Sequence, residues 1–205
     1  MSLLPFRVLA ASLAVGLVAT QAHALDPRYP DWPCQQLKVP QISLASVWSG
    51  PSLDGVDKAR IDDPKLADLV AHLAARRTPM EEAQKLIGEF VAGTAAEKPE
   101  KAKILIVALY DALNAQRDQV MDAIERFSRK QKTVAEDIRR EVQKLHELQD
   151  ANSDPAEIDG LAKRLQWETR IFEDRRKSTS YVCEVPVIIE KRLFDLGRAI
   201  QQAAQ

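Results

Sequence analysis

Beyond its first 24 residues the chain offers two cysteines, Cys34 and Cys183, and two histidines, His72 and His146. Neither cysteine belongs to a C-x-x-C or a C-x-x-C-H, so redox-pair and haem-attachment chemistry have no motif to stand on. In an oxidising compartment an even pair forms a disulfide. A Cys34–Cys183 bond would span 149 residues, and chain-entropy arguments give about 4–5 kcal/mol for a loop of that size. The histidines lie on different predicted helices with no H-E-x-x-H, whereas catalytic zinc needs three convergent ligands. No G-x-S-x-G, P-loop or G-x-G-x-x-G occurs, which removes the commonest nucleophile and phosphate-binding signatures. Glu81 with Glu82 and Glu136 with Asp137 are adjacent carboxylates, but neighbours on a helix point to different faces. The expectation is therefore no catalytic residue, no metal and no cofactor.

One charged cluster remains. Asp174, Arg175, Arg176 and Lys177 follow Phe172 directly. As a solvated helix face this needs no ligand. As a contact surface, Phe172, Arg175, Arg176 and Lys177 are the candidate partner-binding residues.

The start of the chain assigns a compartment. Arg7 precedes a 13-residue uncharged apolar run, Val8 to Thr20, and Ala22-His23-Ala24 supplies small residues at both positions that a signal peptidase reads. This is the pattern of a secretory signal peptide over 1–24, too short for the roughly 20 residues of a membrane-spanning helix. Leu25 follows, not Cys, so a lipoprotein anchor is not indicated. Removal leaves 181 residues with 28 basic and 30 acidic side chains, a net charge of −2. A chain so close to neutrality carries no global field for nucleic acid or anionic lipid. Few aromatics (5%), many charges (29%) and only seven glycines favour long exposed helices over sheets or a large catalytic core.

The elements that would position these residues fall into three parts. Residues 25–62 hold Pro27, Pro30, Pro33, Pro40 and Pro51 with Trp32 and Trp48, predicting an extended arm anchored by tryptophans, with a short extended piece in KVPQISLASVW. The strings PDWPC, KVP and W-x-GP within it read as a fixed module tied to no activity. Over 63–93 two start signals predict short helices, about 64–76 and 79–92. The first is Asp63 before Pro64. The second is a capping box, Thr78 to Glu81, with Pro79 at the first helical position. From 98 to 205 only one breaker cluster, DANSDP near 151–155, interrupts the helical pattern, so two long helices fold back as an antiparallel hairpin. Counting from a turn at 152, residue k faces about 304 − k.

The hairpin divides in two. Its base, 103–122 with 182–202, is rich in Ile, Leu and Val. Its outer half, 125–180, is highly charged, with a thin coiled-coil-like seam in which Gln131 faces Phe172 or its neighbours. Pro186 inside the return helix predicts a kink or break, with an irregularity over 178–186. The whole is all-α: a helical hairpin with two short helices and a proline-rich arm at its base. The expected role is a periplasmic or secreted non-enzymatic adaptor, with no membrane span after signal cleavage, that grips an envelope protein. The alternative is a carrier of a small molecule or metal ion, held between helices 64–92 and the hairpin base. Homo-oligomerisation stays open.

Overall fold

The computed structural model describes residues 26–205 except 57 and 62; the proposed signal peptide and its cleavage site lie outside them. Among the described residues six helices follow one another: α1 Leu44–Val47, α2 Lys58–Ile61, α3 Pro64–Ala74, α4 Met80–Val91, α5 Glu97–Asp150 and α6 Pro155–Ala203. No strand occurs among the described residues. At about 1.5 Å per residue, α5 and α6 are rods of roughly 81 and 74 Å.

Local chemistry sets the ends of these helices. Asp63 accepts from the Lys65 N–H at 2.9 Å, and Pro64 opens α3. At the start of α5, Glu97 accepts from both the backbone N–H and the hydroxyl of Thr94 (2.9 and 3.0 Å), and these bonds hold its carboxyl below the usual range. The tip turn places Asn152 at φ 50°, a left-handed conformation that asparagine tolerates. Asp154 then caps α6 by accepting from Ala156 N–H at 2.9 Å, with Pro155 at the first position.

α5 and α6 pack antiparallel. Arg117 reaches Glu190 at 2.6 Å, and Arg164 meets Glu141 at 3.2 Å. These pairs give sums of 307 and 305, close to the expected 304. Leu105, Leu109, Leu193, Leu196 and Ile200 are fully enclosed in the base, together with Leu73 of α3 and Ile87 and Val91 of α4. The arm joins the same core through Ile42, Val47 and Trp48.

Three local expectations are corrected. First, α6 runs unbroken through Pro186. The proline removes one hydrogen bond, but the turn around it is held from outside: Cys183 is cross-linked, and the Gln36 side-chain amide donates to the Cys183 carbonyl. The weak helix formers before it are satisfied internally, since the hydroxyls of Ser178, Thr179 and Ser180 donate to the carbonyls of Asp174, Arg175 and Lys177. Second, Thr78 does not cap α4, whose N-cap position is Pro79. Thr78 is buried and donates to the His72 carbonyl (2.8 Å), while Arg192 of α6 donates to the carbonyls of Leu73 and Thr78. These side chains take the carbonyls at the end of α3, so the helix stops at Ala74, short of Arg76. Third, the extended piece is shorter than KVPQISLASVW allows: Leu44–Val47 within it form one helical turn, α1, seated on α6 where Gly197 leaves room. A Cβ on Gly197 would lie 2.8 Å from the Val47 carbonyl oxygen.

Candidate interaction groove

The hairpin is unevenly filled. α5 buries nothing beyond Ser128, and α6 buries nothing between Leu165 and Cys183. Residues on α6 that should meet α5 over this stretch are therefore in partial contact with solvent. Helix periodicity puts Ile171, Ser178 and Val182 on one flank of α6, and Arg176, Ser180 and Glu184 on the other.

The first flank borders a groove. Its upper part, about 610 Å³, is lined by Ala123, Ile124 and Phe127 of α5 and by Ile171, Ser178 and Val182 of α6. The lower part, about 550 Å³, continues past Ile171 and Arg175 to Val134, Lys144 and Trp167. Phe127, Trp167 and Val182 keep 36%, 63% and 45% of their surface exposed, a large apolar area to leave wet on a helix pair. Asp137, Glu141, Glu168 and Asp174 also line the groove, and each is paired with a cation of the chain itself: Asp137 with Arg140, Glu141 and Glu168 with Arg164, Asp174 with Lys177.

The second flank faces a cavity of about 890 Å³ under the arm, between Pro33–Gln36, Phe127, Gln131, Phe172 and Val187. Both polar atoms of the Gln131 amide are enclosed there without a hydrogen-bond partner among the described residues. Gln131 and Phe172 do line one space, as the register count requires.

No family model, curated protein or solved structure matches this chain.

The four candidate contact residues separate. Phe172 lines both spaces, and Arg175 lines the groove. Arg176 lies on the opposite flank, bound to Glu173 at 2.8 Å, and Lys177 is paired with Asp174 at 3.7 Å outside both linings. Trp167 and Ile171 escaped sequence reasoning, whereas Phe127 belongs to the apolar seam of α5 and Val182 to the apolar base. Trp167, Ile171, Ser178 and Val182 recur at helical spacing on a stripe offset from the seam.

The Cys34–Cys183 bond is formed, with a Cα–Cα separation of 5.6 Å. It belongs to a strip of arm contacts running along α5. Asp31 pairs with Lys132 (2.8 Å) and Arg129 (3.2 Å), and these cations, Lys132 foremost, hold its carboxyl below the usual range. Trp32 is buried beside Met121 and Ile124, and its indole donates to the Gln36 carbonyl at 2.8 Å. Lys38 pairs with Glu125 at 2.6 Å. Arg117, 1% exposed, donates to the carbonyls of Val39 and Pro40. Trp48 covers Gly50, where a Cβ would fall 2.3 Å from the indole, and it donates to the Pro51 carbonyl. PDWPC, KVP and W-x-GP thus supply the residues that dock the arm on the hairpin.

Elsewhere the chemistry is sparse. His72 pairs with Glu82 at 2.9 Å between α3 and α4, and both are half exposed. Among the described residues no group of three or more His, Cys, Asp or Glu side chains is placed to hold a metal ion, and no helix is long and apolar enough to cross a membrane.

Proposed function

We propose that this protein is an exported, non-enzymatic adaptor that grips a protein partner through the groove between α5 and α6 at the middle of the hairpin. One observation carries the proposal: over Gln166–Val182 α6 buries no residue, while an apolar groove lined by Phe127, Ile171 and Val182 opens beside it. A helix pair that closed only on itself would fill that space, because unfilled apolar surface costs about 25 cal/mol per Å² left in water. Left open, it is the kind of groove into which another helix lays its apolar face. Export is supported by the n-region, apolar run and A-x-A of residues 1–24, and by a structural disulfide, which persists in oxidising compartments.

The test is a pull-down from the native envelope fraction with the oxidised protein and its Val182→Asp variant. The adaptor role expects a protein that co-purifies with the native chain and is lost with Val182→Asp. If the same proteins come down with both, the groove is not the gripping surface. Intact mass of protein from an export-competent host checks compartment: the mature chain should begin at Leu25 with both thiols bonded.

A carrier role would use the 890 Å³ space beside Gln131, since the base around Leu73, Ile87, Leu109 and Leu193 is packed with enclosed side chains. That volume is within the usual range of ligand pockets. A co-purified small molecule lost on Gln131→Leu would favour it.

A further inference from the structure

We infer that the occupant of the mid-hairpin groove is an acidic amphipathic helix of about four turns, contributed by a different protein. This rests on the adaptor role proposed above and specifies the chemistry of the partner.

Charge is distributed unevenly in this chain. Between residues 126 and 144 on α5 and between 163 and 177 on α6, thirteen Lys or Arg stand against six Asp or Glu, a surplus of seven in a chain whose formal net charge is −1. Ion pairing sharpens the asymmetry. Five of those six acids are paired: Asp137, Glu141, Glu168, Glu173 and Asp174. Arg126, Lys130, Arg139, Lys144, Arg170 and Arg175 have no acidic partner among the described residues. Two of these six, Lys144 and Arg175, line the groove itself, whose own acids are all paired. The groove therefore has an apolar floor and a rim whose uncommitted charge is positive.

Complementarity across an interface selects the opposite sign on the partner. Apolar floor and basic rim together call for an apolar face flanked by Asp and Glu. The length follows from the floor: Trp167 to Val182 covers 15 residue steps, roughly 22 Å along the helix. A second copy of the chain fits poorly, since the matching stretch of its hairpin carries the same surplus of seven and would bring like charges together.

The test uses the full oxidised chain and two fluorescent peptides of about 18 residues with the same leucine stripe, one flanked by Glu and the other by Lys. Anisotropy titrations should show the Glu peptide binding at least about tenfold more tightly than the Lys peptide, with affinity falling as salt is raised. Lys144→Glu with Arg175→Glu should invert that preference. Val182→Asp should weaken both peptides. Circular dichroism confirms that each variant is folded. Equal binding of the two peptides, or a preference untouched by the double reversal, overturns the inference, and so does co-sedimentation with phosphatidylglycerol vesicles that the double reversal abolishes, because a membrane surface would then be the occupant. The adaptor role fails separately: if Val182→Asp still loses its envelope partner while the peptides do not discriminate, the groove grips a partner of other chemistry. If Val182→Asp keeps every partner, the adaptor role itself is wrong.

Discussion

Leu193→Ala tests whether the hairpin is held by its base. Leu193 is fully enclosed in the cluster that joins α3, α4, α5 and α6. Its neighbour Arg192 is fastened to the carbonyls of Leu73 and Thr78, so α6 cannot easily shift inward to close the hole. A buried leucine cut to alanine at a site that collapses poorly costs about 2–5 kcal/mol. For a chain of this size each kcal/mol lowers the melting temperature by about 2–4 °C. The expected fall is therefore about 4–20 °C, read by circular dichroism at fixed pH with the disulfide intact. The comparison is Val142→Ala in the outer half. Val142 is 39% exposed, so the change should stay within about 0.5 kcal/mol. Equal shifts from the two substitutions, or a larger one from Val142→Ala, would refute the division of the hairpin into a stabilising base and a loosely held outer half.

Three further outcomes are expected. Gly197→Ala should cost about 1–3 kcal/mol by overpacking, because its new Cβ meets the backbone carbonyl of Val47; hydrogen exchange should show the loss of protection concentrated in α1 and the arm. Amides over 135–150 and 155–170 should exchange faster than those over 102–113, since local stability follows buried apolar contact; uniform protection would contradict this. Asp31 should titrate below the usual carboxylate range, and Lys132→Ala should move it back up. With its folded-state pKa depressed, Asp31 stabilises the docked arm above its unfolded pKa, and this contribution is lost as pH falls through the folded value; an NMR titration of the Asp31 carboxyl checks both.

Much of the frame was legible because its determinants are local. Asp63 with Pro64, Asp154 with Pro155, and the run without proline or glycine between Pro99 and Pro155 each act within a turn or two of where they stand. The register followed from one turn and the antiparallel rule, and the cysteine pair from parity and compartment. What escaped depends on residues far apart. Pro186 reads as a breaker, yet α6 continues through it beside a residue, Cys183, that the disulfide and the Gln36 amide tie to an arm about 147 residues earlier. Arg117 sits in a polar run, Gln116-Arg117-Asp118, that reads as solvated. It is buried because an arm of proline and irregular backbone leaves the carbonyls of Val39 and Pro40 without partners in secondary structure. The groove was missed for a related reason. Periodicity finds the residues that fill a seam, and Trp167, Ile171 and Val182 recur on a stripe beside it.

The disulfide also sets how far the hairpin overhangs its anchor. From Cys183, where the disulfide fixes α6 to the arm, to Pro155 at the tip is 28 residue steps, a rigid beam of roughly 42 Å. Because α6 is joined to α5 again at the tip turn, any bending of this overhang carries both helices together, and each degree of bend displaces the tip by roughly 0.7 Å.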